Sequence, residues 1–280
     1  MSLPESHPPV DGHEHEGLTC PVTGQGHAYC PPQKSDSRSP CPALNTMANH
    51  GYMYVRISLT TTTRPNLSFH SSRDGKNLSA RQVMNGLKAC YGLTTPLAAF
   101  LSYVGFAVLF KRRVSLYEIG KHNKIEHDAS LVHHDTPEGQ DFAPTEIDQA
   151  LVDALIQDVK PDAKEVEALS EDGERFLMSI EDVARARIRR EKECRAVPSI
   201  RSKIARGEMA IILGVWEAKS KSKAGIPVEY MKSWIGHERL PEGWKPDHAE
   251  GLLAVMRREK ALAATIERLR SEEAAKDKAK

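Results

Sequence analysis

Apolar positions along the chain recur mainly at helical spacing. Ser79–Cys90 and Pro96–Phe110 predict a pair of apolar helices, separated by Gly92 and Pro96. From Thr145, the residues Ile147, Leu151, Ala154, Leu155 and Val159 return at three- and four-residue steps, and Thr145 with Asp148 predicts an N-terminal cap. Gly173–Arg195 predicts a charged helix that stops before Pro198. Ile200–Lys219 predicts a more apolar one, followed by a polar loop over Lys219–Gly225. Ala249–Lys280, rich in Glu, Lys and Ala, predicts a helix with a solvated end. Residues 1–38 are rich in Pro, Gly, Ser and His without periodicity, and Thr60–Gly75 reads as an irregular connection turning at Asp74–Gly75. Strand-like alternation is scarce and no internal repeat is visible. The predicted organisation is a flexible arm over 1–30, one mostly α domain over 31–248 and a charged helix over 249–280.

Composition narrows the classes. Forty percent apolar residues in a chain of 280 can fill a core, which excludes wholesale disorder. Thirty-nine basic against 38 acidic residues leave a net charge of +1, so no polyanion is held by bulk charge. An aromatic content of 6% argues against stacked nucleobases. The basic band Arg185–Arg206 therefore reads as a solvated helix face, and no nucleic-acid partner is expected. The first residues lack a basic segment followed by an apolar one, which predicts an intracellular, cytoplasmic chain with reduced thiols. Pro96–Phe110 as a helix rises about 22 Å, short of the ~30 Å hydrocarbon layer. It is expected to be a buried core helix, and no membrane span is predicted. Each of Cys20, Cys30, Cys41, Cys90 and Cys194 must then be a packer, a ligand or a nucleophile.

Three segments carry chemistry. Cys41 stands between Pro40 and Pro42, and Pro42 is a natural first helical residue, which places Cys41 at an N-cap. The unpaired amides of Ala43 and Leu44 and the helix dipole favour a thiolate there. Such a thiolate can attack a substrate, bind a soft metal or ligate heme iron, and a buried inert cysteine is the plain alternative. In Lys124–Val132, Glu126 and Ser130 are four residues apart and can turn toward one hard cation, with a main-chain carbonyl between them. His127 beside Asp128 can have its ring fixed for proton transfer, although the segment also reads as a polar surface loop. It belongs to a histidine cluster of His122, His127, His133 and His134. Glu208 is a lone carboxylate in the apolar run Gly207–Trp216. If it is buried it suits acid–base work, and otherwise it marks a solvated helix margin.

In this order the segments resemble the heme-thiolate peroxidases, the family of fungal chloroperoxidase and the unspecific peroxygenases. Pro40–Cys41–Pro42, continuing through Leu44–Asn45 to Asn49–His50–Gly51, is similar to the family's cysteine signature. Glu126–His127–Asp128 with Ser130 is similar to its second motif, and Arg206–Gly207–Glu208–Met209–Ala210 to the segment of its catalytic glutamate. Glu238–Trp244 resembles a further family segment, and the likeness runs from Pro31 to Pro246. The resemblance implies a single helical domain of the chloroperoxidase type that binds heme b, with Cys41 as iron ligand in the turn Cys41–Pro42–Ala43–Leu44. It implies Mg²⁺ (or Mn²⁺) on Glu126, the carbonyl of His127 and Ser130, beside a heme propionate. His127 and Glu208 would form the acid–base pair, with Asp128 fixing the imidazole.

The activity implied is oxygenation or oxidation of small, mainly apolar organic substrates with hydrogen peroxide, with one-electron peroxidase and haloperoxidase side activity. The rivals are a heme-dependent dehydratase or isomerase acting without peroxide, and a heme-binding or sensing protein. If Glu208 faces the heme, Ile204 and Ile211 share its helix face, and Ile125 approaches from the opposite wall. That predicts an aliphatic substrate channel without phenylalanine. Homo-oligomerisation stays open.

Overall fold

The computed structural model describes residues 27–59, 66–71, 73–159, 176–195, 197–219 and 224–279. Most of the predicted arm, including Cys20, lies outside the described residues, as do 220–223 of the predicted polar loop. The chain is mostly helical, as expected. The elements in order are α1 (Pro42–Asn49), β1 (Tyr54–Leu59), β2 (Asn66–Ser71), α2 (Ala80–Tyr91), α3 (Thr95–Val108) and the short α4 (Leu116–Ile119). They continue with α5 (Gln149–Gln157), β3 (Leu177–Met178), α6 (Ile180–Glu193) and α7 (Ser199–Val215). The last are β4 (Ala218–Lys219), β5 (Ala224–Pro227), α8 (Val228–His237) and α9 (Leu252–Lys278).

Local chemistry sets most boundaries. Helix α2 starts at a capping box, in which Ser79 Oγ accepts from the Gln82 amide and Gln82 Oε1 accepts from the Ser79 amide. It stops at Gly92, whose φ of 68° is left-handed. The cap of α5 is Asp148, which accepts from the amides of Ala150 and Leu151 at 2.8 and 3.3 Å. Thr145 therefore does not cap, in contrast to the sequence expectation. Ser179 and Asp182 form the box that opens α6. The residues before it, Leu177 and Met178, pair antiparallel with Pro227 and Ile226 of β5. The charged helix is thus shorter at its start than its periodicity predicts.

Two further expectations are corrected. Part of the supposedly irregular Thr60–Gly75 is strand β2, paired antiparallel with β1 from Tyr54↔Ser71 to Leu59↔Asn66. Helix α3 is not buried all round. Leu97, Ala98, Ser102 and Phe106 face inward, whereas Phe100 and Tyr103 are about half exposed at 51% and 52%. Among the described residues no helix is long and apolar enough to cross a membrane.

The core joins Met47 of α1 and Leu87 and Cys90 of α2 to Leu213 and Trp216 at the end of α7 and Trp234 of α8. Helix α9 lies across α6 and α7 and buries Val255, Leu262 and Ile266. One buried carboxylate ties four elements. The main chain of Glu250 bonds Gly92 and Thr94 between α2 and α3. Its side chain accepts from Arg258 Nη1 of α9 at 3.0 Å, and the same nitrogen donates to Ala210 O of α7. Gly214 is required here, because a Cβ would stand 2.3 Å from Glu250 Oε2.

Replacing Arg258 with Met leaves Glu250 as a buried charge without its guanidinium, and losses of about 3 kcal/mol follow from such a change. Urea unfolding should show a loss of that order. A loss under about 1 kcal/mol would mean that the clamp does not hold these helices.

Candidate active site

The thiol side is built around α1. Cys41 occupies the N-cap with φ −99° and ψ 105°, and Pro42 follows at the first helical position. The turn before it is held by Asn45, whose Oδ1 accepts from the Ser39 amide at 2.9 Å and whose Nδ2 donates to Ser39 O at 2.7 Å. Asn45 Nδ2 also donates to Glu238 Oε1 at 2.6 Å, and Asn49 Nδ2 to Glu238 O at 3.3 Å. His50 Nε2 accepts from the Leu240 amide at 3.1 Å. The segments around Cys41 and after α8, which the sequence offers as separate motifs, thus meet as one hydrogen-bonded unit.

Burial pushes the Cys41 thiol up to about 12, with Glu208 adding to the rise. Hydrogen bonding from the amides of Leu44 and Ala43 pulls it down, and burial outweighs them. The N-cap alone therefore does not yield a thiolate, contrary to the simple helix-dipole expectation.

Facing the thiol are His127 and Glu208. His127 is buried and its Nε2 lies 3.4 Å from Glu208 Oε2. Its Nδ1 donates to Asp128 O at 2.9 Å, which fixes the ring. The Asp128 main chain does this work, whereas its carboxylate pairs with Arg195 Nη2 at 3.3 Å. Burial lowers the imidazole pKa, but the Glu208 hydrogen bond and charge outweigh it and the net shift is upward. Glu208, 52% exposed, is not sealed in protein and opens on the cavity. It stands between the two readings of the sequence.

The loop after α4 carries the cation candidates. Glu126 Oε2 bonds His122 Nδ1 at 2.7 Å, and donor atoms of His122, Glu126 and Asp128 lie within 4.8 Å of one another. Ser130 Oγ accepts from the amides of Val132 and His133 at 3.3 and 3.2 Å. Ala129, just before Ser130, is left-handed, with φ 66°. Arginines of α6 support this loop from behind. Arg187 Nη1 donates to Ala129 O at 2.9 Å and Arg190 Nε to Ser130 O at 2.7 Å. Both side chains are buried, so this part of the basic band is not the solvated face the sequence suggests. Their guanidinium groups satisfy main-chain carbonyls instead of water.

One cavity of about 330 Å³ joins these parts. Cys41, Pro42, Ala43 and Leu44 border it, as do Glu126, His127, Ser130 and Glu208. Ile125 and Ile211 line it as expected, but Ile204, one turn before Glu208, is not among its lining residues. Phe106, Tyr91 and Trp216 also line it, so the wall is mixed rather than purely aliphatic. Four lining residues carry a buried polar atom with no hydrogen-bond partner among the described residues. These are Ser102 Oγ, His133 Nε2, Arg187 Nη2 and Trp216 Nε1. Sequence reasoning gave no role to His122, Asn45, Glu238 or Arg187. His122, four residues before Glu126, left a local signal, and Asn45 and Glu238 lay within segments that resemble the family, whereas Arg187 left none.

Glu238 predicts a pH dependence. Burial pushes its carboxyl up to about 7, against hydrogen bonding from Asn45 and the charge of Arg38. The folded protein therefore holds this proton more tightly than the unfolded chain. Its stabilising effect is full below pH ~4.3, the unfolded carboxyl range, and is lost as pH rises through 7. Glu238→Gln should flatten thermal stability across pH 5–8, most visibly as a gain at pH 8. A parallel pH profile in both proteins would contradict this role.

The chain matches peroxidase family 2 over residues 27–55 and 70–249. It is also 30% identical over 82 residues to the dothistromin biosynthesis peroxidase dotB of Dothistroma septosporum, including strain NZE10 / CBS 128990. That match covers 29% of this chain and 15% of the relative. The family match takes in α1 with Cys41, the loop of Glu126–Ser130, the helix of Glu208 and the Glu238 segment. The chain belongs to peroxidase family 2, the fungal chloroperoxidase family.

Proposed function

We propose that the chain is a heme-thiolate enzyme that uses hydrogen peroxide to oxygenate or oxidise small, mainly apolar organic molecules. One juxtaposition carries the reading: Cys41 and the His127–Glu208 pair border the same cavity from separate elements. Family membership and the peroxidase among the relatives support the class.

The residues present suit a heme. A soft sulfur donor stands at the wall of a largely apolar cavity, and the partnerless Arg187 Nη2 belongs to a residue of the same wall. Heme b, when bound, supplies the iron at which the peroxide O–O bond breaks, with electron density pushed from the Cys41 sulfur. The protein contributes proton handling and exclusion of water. Glu208 takes the proton from one peroxide oxygen and returns it to the other, which leaves as water. His127, held by Asp128 O, orients the carboxylate and shares its proton.

Mg²⁺ or Mn²⁺ is assigned to Glu126, the carbonyl of His127 and Ser130 Oγ, an oxygen set that suits a hard cation. His122, already on Glu126, competes as a hydrogen-bond partner or joins as a nitrogen ligand. Ile125, Ile211 and Phe106 make the wall near them apolar and uncharged, and there width and reach govern selectivity. One-electron peroxidation and halide oxidation are side activities of the same chemistry.

Glu208→Gln should keep the heme and slow peroxide-dependent product formation by about 10²–10⁴-fold. An unchanged rate would remove Glu208 from the mechanism, and equal product without peroxide would favour a dehydratase or isomerase. Ile211→Phe should disfavour bulky aromatics against slender alkyl chains by several-fold, as ~1–3 kcal/mol per methylene-sized change implies. Identical product ratios in wild type, Ile211→Phe and Ile211→Ala would show that Ile211 does not shape the channel.

A further inference from the structure

Arg187 is the single arginine or lysine among the residues lining the cavity. It is fully buried in α6, at 0% exposure. Two of its three nitrogens are committed: Nε donates to Glu191 Oε1 at 2.7 Å and Nη1 to Ala129 O at 2.9 Å. Nη2, which carries two N–H donors, has no partner among the described residues. Buried donors of a charged group are rarely left without an acceptor, because desolvation is then uncompensated.

The neighbouring arginines of α6 are paired through their terminal nitrogens, although Arg185 Nε is also buried without a partner among the described residues. Arg185 pairs with Glu181 and Asp182, and Arg189 with Asp158. Arg190 reaches Ser130 O, Asp135 and Glu193. The counter-charge of Arg187, Glu191, is itself shared with Arg270. Arg187 thus combines a positive charge, an unused pair of donors and a place on the wall behind Ala129, inside the loop of Glu126 and Ser130. The other basic groups lining the cavity among the described residues are imidazoles, of which His127 is already paired with Glu208. The three further partnerless atoms, on Ser102, His133 and Trp216, are neutral groups suited to hydroxyls, water or amides rather than to anions.

We infer that Arg187 is a carboxylate-binding residue of this cavity: its free Nη2 takes a carboxylate of the bound molecule, which, on the heme reading above, is a propionate. The charged N–H donors left on Nη2 suit a carboxylate oxygen and bind it without any divalent cation. The cavity then holds its acidic ligand by two independent means, the guanidinium from α6 and the cation on Glu126. Arg187 also anchors the loop through Ala129 O, so carboxylate binding and loop position are joined in one side chain.

The test uses the full chain freed of heme, with EDTA present, titrated with metal-free protoporphyrin IX and with its dimethyl ester. Neither porphyrin carries iron, so Cys41 ligation does not enter. Wild type should bind the diacid about ten- to a hundred-fold more tightly than the ester, the weight of a charge-assisted hydrogen bond. Arg187→Met should bring the two within about threefold, and Arg187→Lys, which keeps the charge, should retain part of the preference. Wild type binding both porphyrins equally would overturn the assignment without recourse to any variant, so it stands or falls even if Arg187→Met fails to fold. Full preference retained in both variants would also overturn it. Heme added to the same preparations separates the two levels. A thiolate-type spectrum without diacid preference refutes Arg187 alone, and diacid preference without that spectrum refutes the heme-thiolate reading alone.

Discussion

Asn45 donates to Glu238 at 2.6 Å, and the placement of Cys41 depends on that contact. The amide of Asn45 also closes the Ser39 turn, so one side chain fixes the approach to the cysteine and ties it to the end of α8. Asn49 and His50 repeat the connection to Glu238 and Leu240. A thiol on a free loop would wander by more than ligation tolerates. Here it sits on the first turn of a helix whose next two turns are bolted to the far end of the domain. The bolt is itself titratable, since Glu238 is buried and its proton is held up to about pH 7.

The opposite wall is held by the same kind of contact with the charges reversed. The loop of Glu126–Ser130 is irregular and contains a left-handed alanine, so its own backbone cannot define it. Arg187 and Arg190 supply the missing definition by donating to consecutive carbonyls, Ala129 O and Ser130 O. Helix α9 then backs α6 and α7, which carry those arginines and Glu208. The cavity is thus framed by long-range polar contacts around an apolar interior. That arrangement positions a sulfur and an acid–base pair without filling the space between them.

What could be read from the sequence follows this division. Local chemistry was legible. Pro42 after Cys41 announced the helix start, and the order of Cys41, Glu126–Ser130 and Glu208 gave the family. Relations between distant residues were not. Nothing periodic links Asn45 to Glu238 or Arg187 to Ala129. The arginines of α6 consequently looked like a solvated face, since charge in a helical pattern is usually exposed. The β1–β2 pairing was hidden for the same reason, within a stretch of Thr, Pro, Ser and Gly that reads as a loop. Thr145 with Asp148 read as one N-terminal cap, whereas the geometry gives the cap to Asp148 alone. For Cys41 the helix dipole was correctly located and its effect overestimated, because burial and Glu208 act on the thiol more strongly than two amides do.

On the heme-thiolate reading proposed above, a heme iron on Cys41 would replace the thiol proton. The absorption spectrum of the heme-loaded protein, reduced under carbon monoxide, tests that most directly. The Soret band should lie far to the red of a His-ligated heme, should vanish in Cys41→Ala and should persist in Cys90→Ala and Cys194→Ala. A His-type band in the wild type, or a thiolate-type band that survives Cys41→Ala, would contradict the assignment of Cys41 as the iron ligand.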